Sequence, residues 1–143
     1  MLENLVVIDA NFILLPFQFK IDYLNDIESR LEGRIVFILF KQILDELEAK
    51  RLREPNATKF NMNLKSGISY LENNNEKYNI KYSHLAKSKG ETTDDFLVRN
   101  CKNLRGEGKR VYLATNDADL RRSVRAFSIS TIFLRQKKYL SFD

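Results

Sequence analysis

Acidic and amide side chains stand in this sequence where apolar runs stop. The stretch "LVVIDAN" passes from a buried-looking run into Asp9 and Asn11, and "VYLATNDADLRR" does the same at Thr115, Asn116, Asp117 and Asp119. Asp94 and Asp95 open the segment "DDFLVRNC", and Glu46 lies within "KQILDELEAKRL". Brought together, such carboxylates would repel one another unless protonated or neutralised by cations. All-oxygen donors select hard ions, Mg²⁺ or Mn²⁺. Those ions bring a nucleophilic water to a phosphodiester and stabilise charge on the leaving oxygen, so the chemistry on offer is metal-assisted phosphodiester hydrolysis.

Each acid also has an ordinary structural explanation. Asn and Asp cap helices, which accounts for Asp117 at a strand-to-helix turn. Acids in a first turn complement the helix dipole, which accounts for Asp94 and Asp95 after Thr92 and Thr93. Asp9 is harder to dismiss, because a carboxylate directly after a buried strand needs a specific partner. On a helical wheel Phe40, Ile43, Leu44 and Leu47 define the buried stripe and Asp45 lies nearly opposite. Glu46 and Glu48 flank the stripe on either side, and the wheel does not choose between them. His84 sits in a polar connection with no nucleophile beside it, and no Cys/His spacing suits zinc, so it reads as a surface residue. "RGEGKR" follows a helix rather than a strand and reads as a C-cap and turn, not as a phosphate loop.

To meet, these residues must share one edge of a sheet. Asn4 to Ile8 is a short buried strand within an N-terminal apolar stretch that reads as strand, and Phe19 to Leu31 carries apolar residues at helical spacing up to Gly33. "RIVFILF", Arg34 to Phe40, is a second buried strand leading into the helix of Glu46. Ala57, Phe60, Leu64, Ile68 and Leu71 form the stripe of a long amphipathic helix. "NIKYS" suits a short edge strand, and Ser83 to Glu91 is a flexible lead into a helix started by Thr. Strands at Arg110 to Ala114 and Ile129 to Leu134 flank the helix "DADLRRSVRAF". Buried runs alternating with amphipathic helices predict an α/β fold in which a parallel sheet is covered on both faces. Sites in such sheets lie beyond the carboxyl ends of the strands, where Asp9 and Asp117 fall.

The 143 residues suit one domain over 1–143, burying roughly 70% of its unfolded-chain surface, with residues 135–143 a candidate mobile tail. With 43% hydrophobic and 30% charged residues the composition is that of an ordinary globular protein. The single Cys101 has apolar neighbours and reads as a buried thiol in a reducing compartment. The N-terminus lacks a basic leader and an uninterrupted apolar span of about 18 residues, so a cytoplasmic protein with no membrane partner is expected. A net charge of +5 modestly favours polyanionic partners.

"VVIDAN", "ILDELE", "TTDDFLVRNC" and "VYLATNDADLRR", in that order, resemble a PIN-domain nuclease, nearest to archaeal PIN proteins related to ribosomal-RNA-processing nucleases. The resemblance implies a three-layer α/β/α PIN-like fold with a central parallel sheet. It also implies an acidic Mg²⁺ or Mn²⁺ site that cleaves RNA. By position, the catalytic acids would be Asp9, Glu46, one of Asp94 and Asp95 with Asp95 favoured, and Asp117. All five would be metal ligands, with Asn11, Thr115, Asn116 and Asp119 in support. Lys50, Arg51 and Arg53, Lys87 and Lys89, and Arg121, Arg122 and Arg125 would flank this centre and hold RNA phosphates. VapC-type toxins are the neighbouring group, and a toxin would bring an antitoxin partner. A homodimer is a further arrangement that the resemblance allows, and a non-catalytic RNA-binding scaffold of the same fold is the competing function. A receiver-like phosphoacceptor domain fits less well, because the second buried strand ends in "FKQ" without an acid.

Overall fold

The computed structural model describes residues 2–143. The chain runs β1 (Glu3–Ile8), α1 (Ala10–Ile13), α2 (Leu15–Gln18), α3 (Tyr23–Arg30), β2 (Arg34–Phe40), α4 (Lys41–Arg53) and α5 (Thr58–Asn73). It continues through β3 (Ile80–Ser83), α6 (Thr93–Leu104), β4 (Lys109–Ala114), α7 (Ala118–Arg125), β5 (Ser130–Arg135) and β6 (Tyr139–Phe142). The strands form one sheet in the order β3-β2-β1-β4-β5-β6, parallel except for β6.

Strand alternation sets the layers. Phe37 and Phe40 lie three residues apart on β2 and therefore point to opposite faces. The Phe40 ring meets Phe96 of α6 edge-on at 5.1 Å, whereas Phe37 meets Tyr78, after α5, at 6.2 Å. Helices α6 and α7 pack over β4 and β5 on the first face, while α2 packs on α5 in the other layer. Residues 4–8 of β1 are all buried, as the central strand of a parallel sheet covered on both faces requires. The protein is thus a three-layer α/β/α fold. Among the described residues no helix is long and apolar enough to cross a membrane.

The amphipathic stripe of α5 is met within the chain. Leu64 and Leu71 are buried, Phe60 and Ile68 pack against the core, and Gly67 lies so near α1 that an added Cβ would overlap the Ile13 carbonyl oxygen.

Three segments differ from expectation. The apolar N-terminal stretch is strand only as far as Ile8; beyond Asp9 it folds into α1 and α2, with Pro16 in the first turn of α2. The helix expected from Phe19 begins at Tyr23, because Lys20 takes φ 56° and breaks the turn before it. The segment 135–143, a candidate tail, turns at Gln136 and Lys137 and returns as β6, antiparallel to β5, burying Leu140.

Candidate active site

The strand order places β1 beside β4, so the chain leaves these neighbours in opposite directions along the sheet. Their carboxyl ends open the crevice where doubly wound sheets bind ligands. Register pairs Ile8 with Ala114, bringing Asp9 next to Thr115 across 106 residues of chain.

Asp9 is only 8% exposed, and its oxygens have assigned donors. Oδ1 accepts the Ala10 N–H at 2.7 Å, capping α1, and Oδ2 accepts the Thr115 hydroxyl at 2.7 Å. Asn11 Nδ2 donates to the same Oδ2 at 3.4 Å and to Thr115 Oγ1 at 3.2 Å. Asn11 Oδ1 takes the Asn116 N–H at 3.0 Å, and Asn116 Oδ1 takes the Leu134 N–H of β5 at 2.8 Å. Thr115 Oγ1 also accepts the Asp117 N–H at 3.1 Å. The ends of β1, β4 and β5 are laced by one network.

The acids meet through their fields. Burial raises the Asp9 carboxyl above its ordinary range against the Thr115 and Ala10 hydrogen bonds, and the charges of Asp94 and Asp117 push it the same way. Asp94 is raised by burial, then by Asp117 and Asp95. Of the pair Asp94 and Asp95, it is the charge of Asp94 that acts on Asp9. The Asp95 N–H is bound by the Thr92 cap at 3.1 Å, and Asp94 and Asp95 are both exposed. Asp117 is a helix cap as well: Oδ1 accepts the N–H groups of Asp119 and Leu120 at 2.9 and 3.1 Å. The cap uses one oxygen and leaves the other to the crevice.

Helix α4 presents Glu46 to α6. Thr93 donates its hydroxyl to Glu46 Oε1 at 2.5 Å, Gln42 donates to Oε2 at 3.1 Å, and Lys87 Nζ stands 3.6 Å from Oε2. Glu48 turns instead to Arg51 at 2.9 Å. Thr93 and Gln42 are partners that sequence reasoning missed. The "TT" pair was visible, but nothing in it distinguishes the capping Thr from the one that reaches another helix.

Among the described residues no three His, Cys, Asp or Glu side chains stand close enough to enclose a metal ion. The acids are near enough to repel but do not form a closed cage, with Glu46 held by its own partners. The donor set is nonetheless all oxygen, and within it the Asp9 and Asp94 carboxyls are raised, first by burial and then by the neighbouring acids. That chemistry fits a hard divalent cation, which would relieve the repulsion.

The flanking cations divide. Lys87 touches Glu46, and Arg121 is ordered beside the Asp117 turn, donating to the Asn116 carbonyl at 2.9 Å and stacked 4.1 Å over Phe133. Lys50 lies 4.4 Å over Phe60, Arg122 pairs with Asp119, and Arg125 lies 3.7 Å from Asp143. Lys50, Arg51 and Arg53 stand one to two helical turns beyond Glu46, and Arg53 and Lys89 are exposed. Cys101 is buried as expected, and burial, with Asp9 nearby, pushes its thiol up to about 12. His84 is exposed.

A family model described as a PIN like domain matches residues 6–137. The chain belongs to the PIN-like domain family. Among curated proteins, this PIN-like chain is 27% identical over 134 residues to Ribonuclease VapC4 of Methanocaldococcus jannaschii, covering 94% of this chain and 92% of that protein. The solved structure of the PIN domain endonuclease Utp24 superposes with a TM-score of 0.67 at 20% identity, over 97% of this chain and 90% of that one. A domain of a functionally unknown protein from Methanocaldococcus jannaschii gives 0.62 at 16% identity, over 92% and 91%. The likeness to Utp24 bears out the PIN fold.

Proposed function

We propose that the protein is a Mg²⁺- or Mn²⁺-dependent endoribonuclease, with Asp9, Glu46, Asp94 and Asp117 as its catalytic acids and Asp95 an outlying member of the cluster. The observation that carries this is the meeting of Asp9 and the Asp117 turn on the Thr115 hydroxyl at the sheet's switch point, where the charges of Asp117 and of Asp94, from a third segment of chain, act on Asp9. A cap or a first-turn acid needs no such convergence. The names of the relatives, a ribonuclease and a PIN domain endonuclease, support the reaction class.

A bound divalent ion would supply an activated water and neutralise charge on the scissile phosphate. The chain's own groups do the positioning. Thr115, Asn11 and the Ala10 N–H fix Asp9 in one orientation, and Thr93 and Gln42 fix Glu46. Arg121, ordered by stacking, and Lys87 hold phosphates on either side. They fix the backbone without reading bases.

The match to VapC4 along nearly the whole chain favours one second reading, a toxin ribonuclease held by an antitoxin. Growth arrest on expression, relieved by a neighbouring gene product, would select it over an RNA-processing role.

Asp117→Asn tests the catalytic assignment. Asn caps about as well as Asp, so the fold and melting temperature are retained, while Mn²⁺-dependent cleavage of single-stranded RNA falls by orders of magnitude. Added Mn²⁺ raises the parent's melting temperature by mass action and the variant's less. Equal cleavage and equal Mn²⁺ response in the two proteins would reduce Asp117 to a cap.

A further inference from the structure

The cations near the acidic edge are mostly committed to carboxylates: Arg51 to Glu48, Lys87 to Glu46, Arg99 to Glu91 and Arg122 to Asp119. The opposite edge, where the strands begin, reverses this pattern. The turn after α6 and the start of β4 carry Arg105, Lys109 and Arg110, which line a groove of about 350 Å³ together with Ser128, Ser130 and the Gly106 backbone. None of its lining residues is acidic. The guanidinium of Arg105 donates to the carbonyls of Phe127 at 3.0 Å and Lys102 at 3.3 Å, and Arg110 donates to the Tyr112 hydroxyl at 3.5 Å. Lys102 adds a fourth cation, 4.1 Å over the Phe127 ring.

These neutral partners orient the side chains without cancelling their charge. Among the described residues none of Lys102, Arg105, Lys109 and Arg110 forms an ion pair. The nearby acids do not change this. Glu107, in the turn, is exposed and does not line the groove, and Glu3, across from Lys109 in register, lies 3.7 Å from Arg34.

We propose that this groove is a second RNA-binding surface, which takes the sugar-phosphate backbone at the edge of the sheet opposite the acids. Cations, hydroxyls and bare glycine backbone are the groups that hold phosphates and sugars without reading sequence. Leu2 and Val111 are the apolar side chains in the lining, and no aromatic side chain of the kind that anchors protein interfaces stands among them. The six residues of β4 set the two edges about 20 Å apart at 3.3 Å per residue, so RNA held at both must wrap the domain. The assignment rests on the RNA-cleaving function proposed above, but its test is independent of cleavage.

The test is fluorescence anisotropy of labelled single-stranded RNA in EDTA across a salt series, using the triple variant Arg105→Gln, Lys109→Gln, Arg110→Gln. Each lost phosphate contact on a single strand flattens the plot of log K against log salt by about 0.7. The triple variant should therefore flatten it by about two units. A control variant, Lys59→Gln, Lys65→Gln, Lys138→Gln, removes the same charge from other exposed positions and should change the slope far less. Thermal melting checks that both variants fold. An unchanged slope in the groove variant, or equal flattening in the control, overturns the assignment. So does unchanged RNA binding accompanied by lost binding of polyglutamate, which would give the groove to an acidic protein. A protein that binds RNA through this groove yet cleaves none would refute the nuclease assignment and leave the groove standing.

Discussion

Thr115→Val tests the network beneath the acids. Valine keeps the shape of this fully buried side chain and removes its oxygen. Asp9 Oδ2 then loses a 2.7 Å charge-assisted bond, and the Asp117 N–H and one Asn11 donor lose their acceptor. A hydrogen bond to a charged group contributes about 1.5–3 kcal/mol, and stranded donors add to the loss. Asp117 and Asn11 are half-buried, so water recovers part of the second contribution and the sum is about 2–4 kcal/mol. At about 2.1 cal/mol/K per residue the unfolding entropy of this chain is about 0.3 kcal/mol/K, so the melting temperature should fall by about 7–13 °C. The pH dependence follows from Asp9. Its folded pKa is raised above 3.8, so the fold gains stability as pH falls from that folded value toward 3.8. Without the Thr115 hydroxyl the carboxyl rises further. The damage is then complete above the variant's Asp9 pKa and shrinks as pH drops through it, because a protonated carboxyl no longer needs the charge-assisted donor. Melting curves at neutral pH and near pH 4, repeated in an Asp9→Asn background, measure this directly. A loss under about 0.5 kcal/mol at neutral pH, or one that is the same at both pH values and in both backgrounds, would refute the assigned role of Thr115.

Two further outcomes are expected. Gly67→Ala, a change that stabilises an exposed helix by up to about 1 kcal/mol, should here cost about 1–3 kcal/mol through overlap with the Ile13 carbonyl; a variant that melts at or above the parent would show that α5 has room to shift. Lys87→Met removes the ammonium 3.6 Å from Glu46. A partly exposed pair is worth about 0.2–1 kcal/mol, so calorimetric Mn²⁺ affinity should rise roughly 1.5- to 5-fold while RNA cleavage declines, and weaker Mn²⁺ binding would mean that Lys87 organises the acids rather than competing with the ion.

What the sequence disclosed depended on whether the signal was local. Strand β2 has the bounds that its β-branched and aromatic run suggests, and α5 follows its stripe to within a few residues. The hairpin to β6 was hidden because its turn places Gln136 and Lys137 at φ 55° and 56°, a geometry normally announced by Asn-Gly or Asp-Gly. Short helices α1 and α2 were hidden because four residues carry no period. At the site, the positions of Asp9 and Asp117 after their strands were readable. Which of Asp94 and Asp95 acts on Asp9 was not, since both lie in the same first turn and their placement depends on how α6 packs against Phe40. Glu46 was ambiguous for the same reason, and its partner Thr93 is 47 residues away.

The bond between Asp9 and Thr115 spans 106 residues, and β1 lies between β2 and β4. Strand β1 thus waits at the middle of the sheet for its neighbour β4, made much later. At about 5–20 residues per second, translation alone imposes a delay of about 5–20 s between Asp9 and Thr115 leaving the ribosome's active centre. During that interval the nascent chain carries Asp9 and, once 37 further residues are made, Glu46, but neither the Thr115 hydroxyl nor Asp117. The topology thus orders the site in time: the edge of the sheet that holds Asp9 is completed only after β4 and the turn into α7 have been made.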